Sequence, residues 1–515
     1  MIKSFLKRYI GFIFLLGGFL VIGITTYQSY GISWDEGDER NLGNATYNYL
    51  FHGQDSIKYC SNKIYGVAFE LPLTVIEKSL NLQDIRDIYL MRHLMTHLFF
   101  LLGALAFFLL IDYLYRNKIL ATIGFLLLTV NPLIYAHSFY NSKDIPFLSM
   151  FIICFLVTAI AFNKNTVKWY IILGVVCGLL MNMRIMGVLL IGCIWLFFLL
   201  DYLATKHDKV VKKNVLRYLL IFTCTSFGLL LITWPYLYSN PGQNFIDAFK
   251  KLSQWSWDGD VLFWGKVYHS KHLPLYYAIS WFCISNPIPY IILGFFGILY
   301  FVIKFIKNPK QFIFDRMLRN QALYVFCFVE PLLAVLAFHS VIFDAWRHLY
   351  FIYPPFILAG IFGLNYLFTT KMKWPVLLIL IAGIGYTGIY MTSTFPNENV
   401  YFNKFVNRDP ESLRKNFDLD YWGNSYKQAL EYILKTDTSK TINVYVVGFV
   451  GRENAWILKP EERKRIHFMA DSESGKATYV ASFYRNHPED YSFQNLEVFH
   501  IKVLNSTIMS VFKVK

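Results

Sequence analysis

The 515-residue sequence is short of charge. Asp, Glu, Lys and Arg together make up 16% of it, whereas a soluble protein of ordinary composition carries about a quarter. Cysteine is also scarce, with seven residues and none at the spacing of a metal-binding motif. Low-complexity tracts and internal repeats are lacking too. These features exclude a soluble globular enzyme, a disulfide-rich secreted domain, a zinc finger and a solenoid.

Long apolar runs are present instead. Stretches such as "GFIFLLGGFLVIGITTY" and "WPVLLILIAGIGYTGIYM" are long enough to cross a hydrocarbon core of about 30 Å as helices. The first run is not followed by a small-residue cleavage site and is interpreted as a retained anchor. We predict a polytopic all-α membrane protein with about eleven transmembrane helices, at residues 9–28, 93–112, 119–136, 145–162, 169–183, 185–201, 218–236, 284–303, 321–340, 349–369 and 374–391.

The charge distribution predicts how the chain lies in the membrane. The formal net charge is +15, but the Lys and Arg residues concentrate in every second connecting segment, as the positive-inside rule describes. This explanation removes the need for a nucleic-acid partner. It places the N-terminus in the cytoplasm and, after an odd number of spans, the C-terminal region outside.

Three external parts are large enough to have a function. The first external loop is 29–92, and a second, rich in aromatic residues, is 237–283, where Trp255, Trp257 and Trp264 suit an interfacial belt or a sugar-stacking surface. Beyond the transmembrane domain, 1–391, the chain changes character. In the region 392–515, "TINVYVVGFVG" and "ATYVASFYR" predict strands and "DYWGNSYKQALEYILK" predicts a helix, which indicates a small extracytoplasmic α/β domain.

Candidate catalytic residues begin with the pair Asp35–Glu36 in "GISWDEGDER", directly after the first apolar run. One interpretation is a solvated loop start. The other is a general base at the membrane surface, because adjacent carboxylates repel and can raise one pKa toward neutrality. Asp38 and Glu39 are interpreted as a solvated helix start.

Two further segments place charge beside apolar helices. In "FYNSKDIPF", Lys143 and Asp144 fit either ordinary helix-start chemistry or a second carboxylate with a cation for an anionic group. In "LLMNMRIMG", Arg184 interrupts an apolar stretch, where a charge is costly unless it is paired. A snorkelling side chain is the alternative.

A third such segment is "FDAWRHLYFIYPP", which contributes Asp344, Arg347 and His348. One interpretation is an ion pair between Asp344 and Arg347, three residues apart, with no further role. The same predicted side of the membrane also carries the remaining candidates for a substrate cavity, which are Trp34, Tyr140 and His272.

Carboxylates and fixed cations beside lipid suit sugar transfer from a polyprenyl phosphate. The leaving phosphate is a stable anion, so one carboxylate that deprotonates the acceptor suffices, and Arg or Lys neutralises the departing charge. Glycoside hydrolysis differs because it needs two carboxyl groups in defined roles.

The ordered set "WDEG", "NSKDIPF", "GLLMNMRIMG", "DAWRHLYFIYPP" and "NENVYFNKFV…DYWGNSYKQAL" resembles bacterial members of the protein O-mannosyltransferase group. That group (glycosyltransferase family 39, GT-C architecture) includes the aminoarabinose transferases of lipid A. The resemblance implies an inverting enzyme that uses a polyprenyl-phosphate sugar, undecaprenyl phosphate in a bacterium. It implies Asp35 as base with Glu36 beside it, Asp144 as second carboxylate, and a donor-phosphate site formed by Lys143, Arg184, Arg347 and His348.

The resemblance leaves several points open. Some relatives bind a divalent metal ion and others do not; this sequence shows no clear metal set and leaves the combination of Glu36 with His272 or His348 open. The acceptor is a glycan, lipid A or a protein, reached at the outer face of the bacterial cytoplasmic membrane. The alternative functions are a GT-C-like polymerase or ligase with a lipid-diphosphate donor, and a transporter or flippase of an anionic or lipid-linked substrate.

Overall fold

In a computed structural model the described residues are 2–205, 208–253 and 257–515, so the predicted role of Trp255 lies outside them. The chain is mostly helical. From the N-terminus to residue 140 the helices are α1 (Ile2–Thr26), α2 (Glu36–His52), α3 (Ser56–Tyr59), α4 (Glu70–Ser79), α5 (Ile85–Tyr115), α6 (Lys118–Thr129) and α7 (Pro132–Tyr140).

The middle of the chain adds further helices and one hairpin. They are α8 (Asp144–Lys164), α9 (Val167–Met183), α10 (Val188–Ala204), α11 (Lys209–Thr233), α12 (Pro241–Ser253), β1 (Asp260–Phe263), β2 (Lys266–His269), α13 (Tyr277–Ile284), α14 (Ile288–Lys307), α15 (Gln311–Phe314), α16 (Arg316–Phe338), α17 (Tyr353–Leu367) and α18 (Lys373–Thr394). A 3₁₀ segment, Arg347–Ile352, leads into α17.

Within the described residues, nine helices are long and apolar enough to cross a membrane. The pair α6 and α7 makes a tenth span if it is counted as one, and α9 is a shorter apolar helix of 17 residues. The predicted multi-span membrane fold is therefore confirmed. The predicted span 119–136 is in fact broken, because Asn131 caps a new helix with Pro132 in its first turn, and α6 and α7 meet at 64°.

The central helices are α8 and the span that ends in α17, which are the most deeply buried of the candidate spans. Helices α1, α11 and α18 expose most of their apolar surface, as lipid-facing helices do. Helix α5 begins at Ile85, so the last residues of the predicted loop 29–92 are helical. The centre of the bundle thus carries the starts of α8 and α17, where two of the predicted charged segments lie.

The C-terminal region forms the predicted α/β unit. Its elements are α19 (Ser412–Asn416), α20 (Tyr426–Thr436), β3 (Ile442–Val446), α21 (Val450–Glu453), α22 (Pro460–Arg463), β4 (Ile466–Phe468), β5 (Tyr479–Ser482), β6 (Glu497–Val503) and β7 (Ser506–Lys513). The strand order is β4-β3-β5-β7-β6, with β4, β3 and β5 parallel and β7 antiparallel to β5 and β6. The carboxyl ends of β3 and β5 lie side by side, and the loops that follow them are available for a site.

Candidate active site

Asp35 stands at the start of α2, directly after the segment 31–34 that leads out of the first membrane helix. That segment is fixed from two directions: the Ser33 hydroxyl donates to the carbonyl of Tyr140 (3.0 Å), and the Ser33 amide donates to Oε1 of Glu36 (2.9 Å). The carboxylate of Asp35 remains about a quarter exposed, at 23%. It can therefore meet a ligand, whereas the next residue, Glu36, is held in internal bonds to the Ser33 amide and to His93.

Arg347 is the centre of an ion-pair cluster. Its Nη1 lies 3.1 Å from Oδ2 of Asp35 and 3.6 Å from Oδ2 of Asp144, and its Nε lies 3.4 Å from Oδ2 of Asp344. Arg184 pairs with the other oxygen of Asp144. All these side chains except that of Asp35 are nearly or fully buried, so the pairs act in a medium of low dielectric, where they are stronger than at a surface.

Asp144 is oriented from behind by Asn141. The Asn141 amide nitrogen donates to Oδ2 of Asp144 (3.0 Å), and the Asn141 carbonyl oxygen of the side chain accepts from the backbone N–H of Asp144 (2.8 Å). His137 contacts the same amide nitrogen at 3.1 Å. Asp144 therefore belongs to a fixed framework that holds Arg184 and Arg347, and it has less freedom than Asp35.

The turn that carries Asp344 is strained. Asp344 and Ala345 have φ values of 56° and 59°, which non-glycine residues seldom adopt, at a cost of about 1–3 kcal/mol each. Three partners hold the Asp344 carboxylate there: Nε of Arg347, the indole N–H of Trp422 (3.2 Å) and a guanidinium nitrogen of Arg485 (2.7 Å). The strain is thus offset by a charge network that spans the bundle and the C-terminal region.

These groups face a cavity of about 510 Å³. Its charged wall contains the residues Asp35, Asp38, Glu39, Lys143, Arg184, Asp344, Arg347, His348 and Arg485. Its apolar lining comes from the 3₁₀ turn Ile185–Gly187, the start of α10 and the C-terminal parts of α12 and α16, with the residues Ile185, Met186, Leu189, Phe249, Leu252, Pro331, Ala334, Val335 and Phe338. The cavity can therefore accept a ligand that is anionic at one end and hydrocarbon at the other.

The electrostatics keep Asp35 ionised. Burial alone would raise the pKa of its carboxyl group, but the charges of Arg347, Lys143 and Arg184 outweigh burial and hold the pKa below its ordinary value. A carboxylate in this state stays deprotonated throughout the neutral range and can accept a hydrogen bond from an acceptor hydroxyl or amine. This is the state that a general base requires before it acts.

The cavity gathers most of the predicted site residues. Trp34, Asp35, Lys143, Arg184, Asp344, Arg347 and His348 line it, and Asp144 lies against two of its cations. Three predicted residues are placed elsewhere. Glu36 is buried with Oε2 at 2.9 Å from Nε2 of His93, Tyr140 is buried against Trp422, and His272 is exposed beside His269.

Three charged residues of the cavity wall were not predicted as site residues: Asp38, Glu39 and Arg485. Glu39 was expected to be solvated, but it is buried and its carboxylate lies 2.8 Å from Nζ of Lys143. The helical period gives a signal for it, because Glu39 follows Asp35 by four residues and shares its face. Arg485 has no such local signal, since its contacts with Asp344 and Tyr421 join segments far apart in the chain.

The combination of Glu36 with His272 or His348, which the sequence left open as a metal site, does not assemble. Among residues 2–205, 208–253 and 257–515, no group of three or more His, Cys, Asp or Glu side chains is placed to hold a metal ion. Glu36 is tied to His93, and His272 lies beside His269 just after β2, whereas His348 lines the cavity. The side chains present therefore do not fit a divalent-metal site built from these residues.

Comparisons with known proteins agree with this architecture. Residues 88–234 match the model of the family described as dolichyl-phosphate-mannose-protein mannosyltransferase, which confirms the predicted resemblance over that stretch. Comparison with curated protein sequences finds no match. Among solved structures, the archaeal oligosaccharyltransferase AglB from Archaeoglobus fulgidus, in complex with an inhibitory peptide and a dolichol-phosphate, matches with a TM-score of 0.51 at 11% identity, over 93% of this chain and 70% of that chain.

The chain has a GT-C glycosyltransferase fold. The same oligosaccharyltransferase tethered with an acceptor peptide gives a TM-score of 0.51 at 12% identity, again over 93% and 70% of the two chains. In its apo form the match covers 66% of that enzyme, so this chain spans about two thirds of its length. ArnT from Cupriavidus metallidurans bound to undecaprenyl phosphate matches with a TM-score of 0.46 at 11% identity, over 97% of this chain and 98% of ArnT.

Proposed function

We propose that the chain is an inverting glycosyltransferase that moves a sugar from a polyprenyl-phosphate donor to an acceptor at the outer face of the bacterial cytoplasmic membrane. The observation that carries the proposal is the convergence of Asp35, Lys143, Arg184 and Arg347 on one cavity with an apolar wall. A soluble sugar nucleotide would not need that wall, whereas an isoprenoid chain would.

The apolar and the charged lining of the cavity would bind different parts of the donor. The isoprenoid chain would lie against the apolar residues of α10, α12 and α16, and its phosphate would reach Arg184 and Arg347. Guanidinium groups bind phosphate through paired N–H donors, which suits these two residues. Lys143 stands beside them but is already tied to Glu39 at 2.8 Å, so it adds positive potential near the phosphate.

The reaction needs one base and one leaving anion. Asp35 takes the proton of the acceptor hydroxyl or amine while the acceptor atom attacks the anomeric carbon from the face opposite the phosphate. The bond from the anomeric carbon to the phosphate oxygen breaks, and its electron pair stays on the phosphate. Arg184 and Arg347 stabilise that growing charge, so a general acid is not needed and the anomeric configuration inverts.

The orientation in the membrane is part of the proposal. The alternation of Lys- and Arg-rich connections supports a cytoplasmic N-terminus and an extracytoplasmic C-terminal region. The cavity opens beside that region, since Val447, Gly448, Phe483 and Arg485 form part of its lining. Donor and acceptor would therefore meet on the outer side.

The position of the charges speaks against a transporter. Asp35, Lys143, Arg184 and Arg347 all lie where a helix starts or ends rather than in its middle. A substrate path through the bilayer would instead place polar groups near the midplane. A polymerase or ligase is distinguished by its donor, which would be a lipid diphosphate.

The test is transfer by the purified protein with undecaprenyl-phosphate sugars as probes and cell-envelope fractions as acceptors. We expect Asp35→Asn to lower the transfer rate by about 10²- to 10⁴-fold, the usual contribution of a general base. Asp38→Asn is the matched control, because Asp38 lies at the same helix start and on the cavity wall but is exposed. Retained transfer by folded Asp35→Asn protein, or a requirement for a diphosphate donor, would contradict the proposal.

A further inference from the structure

The segment that leads to Asp35 is hydrogen-bonded to an asparagine side chain of the C-terminal region. Oδ1 of Asn454 accepts from the backbone N–H of Ile32 (3.0 Å), and its Nδ2 lies 2.9 Å from the carbonyl of the same residue. Nδ2 is also within 3.2 Å of the Gly423 carbonyl and 2.9 Å of the Val450 carbonyl. Asn454 is fully buried. One side chain thus bonds the catalytic segment as a neighbouring strand would, three residues before the carboxylate.

The contact is a backbone-to-backbone approach as well. A Cβ added to Gly31 would stand 2.3 Å from the carbonyl oxygen of Asn424 and 2.4 Å from Oδ1 of Asn454. Those distances leave no room for a side chain, so the segment is seated directly on the C-terminal region. Its position in the cavity is therefore set by residues about 400 positions further along the chain.

A second contact reaches the cation side of the site. The guanidinium of Arg485 bonds the Asp344 carboxylate (2.7 Å) and the Tyr421 carbonyl (2.6 Å), and it lies over the rings of Trp34 (5.3 Å) and Trp257 (5.4 Å). Asp344 in turn contacts Nε of Arg347. Arg485 therefore fixes one end of Arg347, whose Nη1 faces Asp35.

We infer that the C-terminal region is a working part of the transfer site, in which Asn454 and Arg485 are positioning residues for Asp35 and Arg347. The inference rests on the proposed function. It goes beyond it because a separate module that only selects acceptors would bond neither the segment that leads to the base nor the carboxylate of Asp344 that holds the donor cation.

Asn454→Ala should loosen the Asp35 segment. We expect kcat to fall about 100-fold, the scale for a misplacement near 1 Å, while KM for the lipid donor changes little. Arg485→Gln should act on the donor instead and raise its KM about tenfold, since Arg347 loses part of its support. Arg485→Lys keeps a cation beside Asp344 and should restore most of that loss.

The matched controls stay within the C-terminal region. The side chain of Asn416 donates to the Ser412 carbonyl and that of Arg452 to the Met469 carbonyl, so Asn416→Ala and Arg452→Gln each remove one side-chain hydrogen bond of the C-terminal region without touching the site. If these controls lower kcat or raise KM as strongly as the test variants, the role is merely structural and the inference is wrong.

A readout that does not depend on transfer separates this inference from the proposed function. Hydrogen–deuterium exchange of the Ile32 amide should speed up in Asn454→Ala and remain slow in Asn416→Ala. If exchange is faster in Asn454→Ala but the wild-type protein transfers sugar from no donor, the contact is supported and the proposed function is overturned. Unchanged exchange would overturn the inference itself.

Discussion

Replacing Gly31 by alanine tests how strongly the position of Asp35 depends on the close contact between the segment 31–34 and the C-terminal region. The added methyl group would stand 2.3 Å from the Asn424 carbonyl oxygen, whereas ordinary contacts begin near 3.4 Å. The segment must therefore retreat by about 1 Å, because the oxygen belongs to a turn that is itself fixed. In that turn the Asp420 carboxylate accepts from both the amide and the hydroxyl of Ser425.

The magnitude follows from this displacement. Overpacking of this kind costs about 1–3 kcal/mol of stability. Asp35 lies four residues further on, and a misplacement near 1 Å at a reacting group costs about 100-fold in rate. We therefore expect Gly31→Ala to fold, to unfold at a lower temperature than the wild-type protein, and to transfer sugar about 100 times more slowly.

The assay is the initial rate of transfer per molecule of folded protein, with the folded fraction measured by size-exclusion chromatography and thermal unfolding. Gly475→Ala is the control, because a Cβ at that position meets no atom within 4 Å. A folded Gly31→Ala protein with the wild-type rate would refute the reasoning, since the segment would then tolerate a shift without consequence for Asp35.

Two further predictions separate neighbouring residues. Burial alone would raise the pKa of Asp35, but the charges of Arg347, Lys143 and Arg184 lower it by more, so the net pKa is below its ordinary value and transfer should persist to acidic pH. Arg347→Gln removes one of these charges and should move the acid limb of the kcat/KM profile to higher pH. An unmoved limb would mean that Asp35 is not the titrating base. Glu36→Gln should lower the thermal midpoint, because it weakens the buried contact with His93, yet it should reduce the rate of the folded protein less than Asp35→Asn does.

The sequence predicted the spans well because hydropathy is a local property. Each predicted span overlaps helical residues, although the span 119–136 covers two helices, and the break near residue 131 follows from an Asn-Pro pair that is visible in the sequence. The charged residues in apolar surroundings, Asp144, Arg184 and Arg347, could likewise be found, because a charge there is costly unless it is paired. The cost of an unpaired charge is therefore the physical reason to expect these three side chains to lie close together.

The acidic cluster could be divided only in part. Asp35 and Glu36 are adjacent, yet one faces the cavity and the other faces His93, because successive residues of a helix start point in different directions. Asp38 and Glu39 both line the cavity, but Asp38 is exposed whereas Glu39 is buried, and burial raises the pKa of Glu39 although Lys143 opposes the rise. Arg485 could not be predicted at all, since its position depends on how the C-terminal sheet docks.

The ion pairs also account for how a carboxylate with a lowered pKa can serve as a base. Arg347 contacts Asp35, Asp144 and Asp344 at once, so its charge is shared among three acids. In the proposed reaction the donor phosphate binds the same guanidinium of Arg347 and competes for it chiefly with Asp35. Asp144 and Asp344 are displaced less easily, because Arg184 and Asn141 also hold Asp144 and Arg485 also holds Asp344. Asp35 then loses part of the positive potential that lowers its pKa, and its basicity rises when the donor is bound. The groups that hold the cavity together are the ones whose charge the transfer redistributes.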